Sequence, residues 1–204
     1  MKKLILLLAA CGMFLSLSVQ ASDITPVLGF TSTETSYDPD PSGVDIAPNM
    51  SPVLGVLYSH PVKDTIKMKT GLMLNFARGY ALIVPDVQDT KISYNELEIP
   101  IQLTYQMNLL TLDAGLFVGY GFGKVSTELS GFINNSSEQT WSEAQMNPVN
   151  YGMSLGAGYA FKLSSFKLYA DAVYQLGLAN RSADAATTVK QGSFILRIGM
   201  PLSF

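Results

Sequence analysis

Few side chains in this sequence are suited to acid–base or nucleophilic chemistry. The 204 residues include one histidine, His60, and one cysteine, Cys11. Acid–base catalysis needs such a group within hydrogen-bond reach of a nucleophile or a water molecule, and a lone histidine does not establish this arrangement. We therefore interpret His60, which precedes Pro61, as a solvated turn histidine, and we expect no catalytic residues.

One acidic segment has the spacing of a calcium-binding loop. Asp38, Asp40, Ser42 and Gly43 match the pattern D-x-D-x-S-G with which such a loop begins. The twelfth position holds Asn49 instead of a bidentate glutamate, and two prolines interrupt the segment. We interpret it as a plain acidic loop, with a calcium site as the alternative. A zinc site is not expected from one histidine and one cysteine, so no cofactor is predicted.

Seven charged residues lie at alternate positions of apolar segments, on the side that otherwise carries glycine and serine. They are Lys67, Lys69, Glu96, Glu98, Asp113, Asp171 and Arg197. Asp171 and Arg197 are about equally distant from the middle of the loop near residue 184, so an antiparallel hairpin would place them side by side. Because charges in a narrow, low-dielectric interior need partners, we hypothesise that Arg197 pairs with Asp171 and that Glu98 is a candidate third member.

The elements that carry these charges are predicted to be β-strands, because apolar residues recur at every second position. Six segments alternate clearly, at 66–76, 96–105, 112–122, 151–161, 167–176 and 193–204, and two weaker ones lie at 24–33 and 51–59. A helix, with its period of 3.6 residues, would scatter these apolar residues. The sequence thus predicts eight strands, with a bulge or distorted pairing at Pro100, which lacks a backbone N–H.

The two faces of these strands indicate their surroundings. One face is large and aromatic while the other is small or charged, which is the reverse of what a water-soluble barrel needs. Charged residues make up only 14% of the chain, against about 25% in soluble domains. The bulky face should therefore meet lipid and the small face should line a narrow interior.

The connections between the strands alternate in length. Short ones are predicted at 60–65, 107–108 and 162–165, and long ones at 32–50, 77–91, 123–149 and 177–191. This alternation is typical of outer-membrane barrels. We predict an all-β fold, an eight-stranded antiparallel up-and-down transmembrane β-barrel with short periplasmic turns and long extracellular loops.

Aromatic residues near the strand ends would form two girdles at the membrane interfaces. The candidates are Tyr58, Tyr80, Tyr94, Tyr105, Tyr120, Tyr151, Tyr159, Phe161, Tyr174 and Phe204. Trp141, the only tryptophan, lies in the long loop 123–149. It is predicted either to anchor a protein interface as an exposed residue or to lie at the outer lipid interface.

The N-terminus has the features of a secretory signal peptide. Lys2 and Lys3 precede an apolar run, and small residues before Ser22 predict cleavage after Ala21,. The predicted domains are therefore a signal peptide, 1–21, and a barrel, 22–204. The alternative is a lipoprotein, in which Cys11 is the lipidated cysteine of a lipobox. Loss of the two lysines changes the net charge from −3 to −5, which argues against a nucleic-acid partner.

Several strands resemble those of small outer-membrane barrels of the PorT-like family. The resemblance is carried by the segment 96–105 with Leu97–Glu98–Ile99–Pro100, by the Gly–Tyr–Gly within 112–124, and by the segment 174–180 with its Tyr-x-x-Gly-Leu-x-Asn pattern. Phe204, with Leu202 and Met200, resembles the C-terminal signal that the outer-membrane insertion machinery reads. The resemblance implies insertion through the barrel-assembly machinery and periplasmic chaperones, and it does not fix an activity.

These observations favour a non-enzymatic protein of a Gram-negative outer membrane. We expect a structural or surface-interaction role through the four long loops, in contact with lipopolysaccharide and other outer-membrane lipids. Because eight strands enclose a bore that side chains just fill, the charges on the small face are interpreted as a polar plug. The alternatives are a small porin-like channel for ions or small solutes and, less favoured, a lipid A-modifying enzyme.

Overall fold

The structure is a computed structural model that describes residues 22–85, 87–131, 134–163, 167–184 and 186–203. The predicted signal peptide with Cys11, and Phe204 of the predicted insertion signal, lie outside these residues. Within the described ranges the regular secondary structure is β-strand. The described residues form no helix with the length and apolar character required to cross a membrane.

Ten strands form one antiparallel sheet that closes on itself. Their bounds are Asp23–Asp38 (β1), Asp45–Lys63 (β2), Ile66–Val84 (β3), Gln88–Met107 (β4), Leu110–Gly131 (β5), Asn135–Gln139 (β6), Val149–Lys162 (β7), Lys167–Gly177 (β8), Thr188–Gly199 (β9) and Leu202–Ser203 (β10). In the described chain, eight strands each pair with the next, and β9 pairs back onto β1. β6 pairs only with β5, and β10 pairs with the start of β1. The predicted eight-stranded barrel is confirmed.

The apolar side chains of the alternating pattern face outward. Leu28 and Leu155 are 62% and 65% exposed, and outward positions on the other barrel strands carry similarly exposed Leu, Ile, Phe and Tyr. The intervening positions face the bore and are buried, as are Lys69 and Glu98. This arrangement suits a bilayer because closure of the ring satisfies the strand edges, which cannot bond to water in hydrocarbon.

The aromatic residues divide between the two faces, which corrects part of the predicted girdles. Tyr105, Tyr120 and Tyr151 are exposed on the outside, as expected. Tyr80 and Tyr94 are instead 3% and 2% exposed and lie inside the extracellular end of the barrel. Tyr80 points inward because β3 has an extra residue between Asn75 and Arg78, whereas Tyr94 is simply in phase with the inward Glu96 and Glu98 of β4.

The long connections are shorter than predicted because strand pairing continues above the apolar band. β3 and β4 pair up to Val84 and Gln88, so most of the predicted loop 77–91 is strand. Similarly, β1 extends to Asp38 and β2 begins at Asp45. The predicted loop 123–149 contains the end of β5 and the hairpin strand β6. The last residues of the predicted loop 177–191 belong to β9, which begins at Thr188.

At Pro100 the predicted bulge is absent, but the distorted pairing predicted as its alternative is present. Pro100 pairs with Phe117 of β5 in an unbroken register. On its other side, β3 and β4 pair at Thr70 with Ile101 and again at Met73 with Glu98. The register is the same at both pairs, but the two positions between them are unpaired. The pairing with β3 is therefore interrupted rather than shifted, because a proline cannot donate a ladder hydrogen bond.

Candidate functional site in the bore

The periplasmic half of the bore holds a cluster of buried ions, here called the periplasmic cluster: Lys69, Asp113, Asp171 and Arg197. The register pairs Asp171 of β8 with Arg197 of β9. Arg197 donates from Nε to Asp171 Oδ1 at 2.9 Å and from Nη2 to Oδ2 at 2.6 Å. Lys69 Nζ donates to Asp113 Oδ2 at 2.5 Å and lies 3.8 Å from Asp171 Oδ2.

Neutral hydroxyls complete the periplasmic cluster. Thr104 Oγ1 donates to Asp113 Oδ1 at 2.5 Å, and Lys69 Nζ donates to the hydroxyl of Tyr169 at 3.1 Å. The two cations and two carboxylates are formally balanced, which is the condition under which buried charges are tolerated. Lys67, which the sequence placed with this group, lies at the periplasmic rim and pairs with Asp23 at 3.1 Å.

The extracellular half holds a second cluster, here called the extracellular cluster: Arg78, Glu96, Glu98 and Arg181. Arg78 Nη1 donates to Glu96 Oε1 and lies 3.5 Å from Glu98 Oε2. Arg181 Nη2 lies 3.3 Å from Glu96 Oε2. Gln175 Nε2 donates to Glu98 Oε1 at 2.7 Å. Glu98 thus makes its ion pair and its hydrogen bond in this cluster, and its role as a third member of the Arg197–Asp171 pair stays a prediction.

Apolar side chains lie between the two clusters. Met73 lies between Lys69 and Arg78 along β3, and Val173 follows Asp171 on β8. Together with Val27, Val53, Leu57 and Ile195 these buried residues form one hydrophobic cluster, here called the apolar layer. The apolar layer lies on the side of β1, β2, β3, β8 and β9, whereas on the side of β4 and β7 the buried Gln102 Nε2 donates to Ser154 Oγ at 2.9 Å.

Sequence reasoning missed Arg78 and Arg181 for different reasons. The β3–β4 register shifts between Asn75 and Arg78, and Ala77 there has a φ of 51°. This irregularity turns Arg78 inward, although the alternation of β3 below it predicts the opposite side. Arg181 lies in the connection between β8 and β9, where no periodic pattern assigns a side.

Trp141 closes the extracellular mouth together with Arg181. The indole packs edge-on against Tyr94 with ring centroids 5.1 Å apart, and the Arg181 guanidinium lies 5.0 and 5.4 Å from the centroids of the Tyr94 and Trp141 rings. A Cβ at Gly121 would overlap the indole. We call Trp141, Arg181 and Tyr94 the roof. Trp141 is thus neither an exposed anchor nor a residue of the lipid interface, because it turns into the bore over a glycine.

Backbone contacts join the two loops that supply the roof. The amide of Asn147 donates to the carbonyl of Arg181 at 2.8 Å, and Met146 pairs with Ser182. Arg181 Nη1 also donates to the carbonyl of Pro148 at 3.0 Å. On the outside of the same turn, the amide of Thr140 donates to Glu143, which holds the pKa of this exposed carboxyl below its usual range.

The other candidate residues lie apart from the bore. His60 is a strand residue of β2 paired with Met68, not a turn residue. Its Nδ1 lies 3.0 Å from Ser22 Oγ, and its ring stacks on Tyr58. Among the described residues no group of three or more His, Cys, Asp or Glu side chains could hold a metal ion. Of the predicted insertion signal, Met200 and Leu202 are partly exposed on the outer face.

Comparison with known proteins identifies a family and several structures of similar shape. The family described as outer membrane protein beta-barrel domain matches residues 16–182, whereas no curated protein matches the chain. Ail, the attachment invasion locus protein of Yersinia pestis, has a TM-score of 0.48 and 14% identity over 90% of this chain and 100% of that chain. Neisserial surface protein A has 0.47 and 8% over 89% and 99%. OprG from Pseudomonas aeruginosa has 0.44 and 15% over 90% and 97%.

Proposed function

This chain belongs to the family of outer membrane protein beta-barrel domains, and from that premise we propose that it is a closed, non-enzymatic barrel that acts through its extracellular loops. Its place is the outer membrane of a Gram-negative bacterium, reached after cleavage of the signal peptide at Ala21. Lipopolysaccharide surrounds the barrel, and the barrel-assembly machinery and periplasmic chaperones insert it.

The observation that carries this proposal is the content of the bore. A conducting pore needs an open polar path, but here two balanced ion clusters and the apolar layer fill the bore with side chains that contact one another. The ions are held by each other, since Arg78 and Arg197 each contact buried carboxylates. A permeant ion would have to displace such a partner and leave a buried charge without compensation, which is costly in a low-dielectric interior.

The extracellular end supports a role in surface interactions. β6 projects beside β5, and its side chains from Asn135 to Glu138 are exposed. The loops that carry Trp141 and Arg181 are joined by backbone hydrogen bonds, so they present one surface. Preorganised loops bind partners at a lower entropic cost than mobile ones.

The position of His60 supports the absence of catalysis. Enzymes that modify lipid A would act on the outer leaflet, yet His60 lies near the periplasmic end of β2, beside Ser22 and Tyr58. Mass spectrometry of lipid A from cells with and without the gene checks this part of the proposal. We expect identical spectra, and a modification that depends on the gene would contradict it.

Conductance in planar bilayers tests the closed bore. Folded protein, verified by the faster gel mobility of unheated samples, should insert without producing current steps. A variant with Met73→Ala and Ile195→Ala, which thins the apolar layer, serves as the matched control and should conduct more than the parent protein. Stable open pores of porin size in the parent protein would refute the proposal in favour of the channel.

A further inference from the structure

The outer wall of the barrel has a groove on the hairpin formed by β7 and β8, here called the wall groove. Its volume is about 550 Å³, and its floor carries Ala157, Ala170 and Ala172. Ala157 pairs with Ala172, and Ala170 pairs with Tyr159. Two successive outward rows of this hairpin therefore hold three methyl groups, on a surface that elsewhere carries Leu, Ile, Phe and Tyr.

Larger side chains border the wall groove. Leu110 of β5 pairs with Tyr159 on one side, and on the other side Leu196 and Ile198 of β9 pair with Ala172 and Ala170. In the next outward row towards the extracellular side, Leu155 and Tyr174 face each other and both are exposed. They limit the length of the wall groove, so it lies between this row and the periplasmic turn of the hairpin.

The depth of the wall groove corresponds to one leaflet of the membrane. From Leu155 to Lys162, β7 extends roughly 23 Å at about 3.3 Å per residue. At a strand tilt of about 35–45°, this length spans roughly 16–19 Å along the membrane normal. One leaflet of a hydrocarbon core of about 30 Å is about 15 Å thick. The wall groove thus lies among the acyl chains of the periplasmic leaflet, where hydrocarbon fills it.

Two lysines end the same hairpin. Lys162 and Lys167 lie directly opposite each other across the ladder, and both are exposed. The one carboxylate on these two strands, Asp171, is held by Arg197, and neither lysine forms an ion pair with another described residue. Like charges in directly opposite positions are destabilising, so an anion between them would be stabilising.

The lysines can reach the lipid headgroups. They are in phase with the residues that line the bore, but they lie at its periplasmic mouth, beyond the outward aromatic pair of Tyr159 and Phe161. A lysine side chain has a flexible four-carbon stem that can turn its ammonium group towards a membrane interface. The hairpin therefore presents an apolar groove at the depth of acyl chains and two cations at the depth of phosphates.

We propose that the wall groove and the two lysines form a binding site for an anionic phospholipid of the periplasmic leaflet. One acyl chain lies over the three alanines, and the phosphate lies between Lys162 and Lys167. A zwitterionic phospholipid fits less well because its ammonium group repels the lysines. A second copy of this chain, related by a two-fold axis along the membrane normal, would bring its own lysines to the same depth and add to the repulsion.

Native mass spectrometry tests the headgroup. Refolded mature protein is mixed with equal amounts of phosphatidylglycerol and phosphatidylethanolamine that carry identical acyl chains. Among complexes with one lipid, we expect phosphatidylglycerol to be in excess by about threefold or more, as two exposed ion pairs imply. The double variant Lys162→Gln with Lys167→Gln should bind the two lipids equally. Equal binding by the parent protein, or an excess that persists in this variant, overturns the proposal.

A matched control separates the site from the general effect of positive charge. The double variant Lys63→Gln with Lys124→Gln removes two exposed lysines outside the hairpin and the same total charge. It should keep the lipid preference of the parent protein. If this variant loses the preference as fully as the first, the selectivity comes from net charge, and the proposed site is wrong.

Filling the wall groove tests the acyl chain. Ala172→Leu places a larger side chain on its floor and should lower the fraction of lipid-bound protein by about threefold or more, because the leucine takes the place of several chain methylenes. Val118→Leu, an outward change on β5 outside the groove, should leave that fraction unaltered. The faster gel mobility of unheated samples verifies that each variant is folded. Undiminished lipid binding in Ala172→Leu, or a dimer that this substitution abolishes, overturns the proposal.

This inference rests on the proposed function only for the membrane and for the orientation of the barrel in it. A folded parent barrel that neither conducts nor prefers the anionic lipid would refute the lipid site and leave the closed barrel standing. A conducting parent barrel that prefers this lipid would refute the closed bore and leave the lipid site standing.

Discussion

At the scale of single residues, ion pairs between buried charged side chains organise the bore. Arg197 meets Asp171 through two parallel hydrogen bonds, a geometry that the planar guanidinium favours,. Lys69 contacts both carboxylates of the same cluster. Removing one partner therefore leaves a cation buried without compensation, which is far more costly than losing an exposed pair.

The substitution Asp171→Ala tests this at the periplasmic cluster. It leaves Arg197 and Lys69, both nearly inaccessible, with one carboxylate between them. We expect a loss of about 3–5 kcal/mol in the free energy of unfolding, measured by urea titration in lipid or detergent. The control is Glu138→Ala in the exposed pair with Lys124, where a loss of about 0–1 kcal/mol is expected. Equal losses in the two variants would contradict the burial argument.

Gly121 is required because the Trp141 ring occupies the place of a Cβ. The substitution Gly121→Ala should lift the indole out of the mouth, shift its fluorescence emission to the red and increase its quenching by iodide. Ser136→Ala, an exposed change on β6, should leave both signals unaltered. Unchanged emission in Gly121→Ala would show that the ring does not rest on this glycine.

At the scale of elements, irregular pairing decides which residues face the bore. The alternation of β3 places Lys69, Met73 and Asn75 inside, and the shift above Asn75 then turns Arg78 inside as well. The pairing of β4 with β5 also shifts near this level, where β5 has extra residues between Phe122 and Ser126 opposite Ser93 and Asn95 of β4. The amide of Ala77 donates to Asn95 Oδ1 at 3.1 Å, so a side chain restores a backbone bond that the irregularity removes.

Pro100 can be tested at this scale, because the pairing of β4 with β3 is interrupted beside it. The substitution Pro100→Val adds an N–H and a β-branched side chain that suits strands. We expect the free energy of unfolding to rise by about 0.5–1.5 kcal/mol, the net value of one hydrogen bond. Hydrogen exchange should show that the new amide at position 100 is protected. Rapid exchange of that amide would mean that the missing N–H of Pro100 does not cause the interrupted pairing of β3 with β4.

At the scale of the whole molecule, the barrel reverses the usual distribution of polarity. Leucines such as Leu28, Leu116 and Leu155 are about half exposed or more on its outer face, while its ions are inside. Such a surface requires hydrocarbon around it, and the closed ring removes the strand edges that hydrocarbon would leave unpaired.

The folded state should therefore depend on an amphiphile and on ring closure. The mature protein should show the faster gel mobility of unheated samples after refolding in detergent, and should precipitate when the detergent is removed. A truncation before residue 188, which removes β9 and β10, cannot close the ring and should show no mobility shift. A monomer that stays folded without any amphiphile would contradict the outward orientation of the apolar face.

The sequence by itself determined the number of barrel strands and their outward face, because a period of two assigns every residue of a regular strand to one side. It also placed Asp171 beside Arg197, because the two are about equally distant from the middle of their hairpin loop. It could not assign Arg78 or Tyr80, since the one extra residue of β3 between Asn75 and Arg78 reverses every later assignment on that strand. Arg181 and Trp141 lie in loops that have no period, so only the tertiary structure could bring them together over the bore. Local alternation in the sequence thus specifies which strand residues line the bore. The closure of its extracellular mouth depends on contacts between residues far apart in the chain.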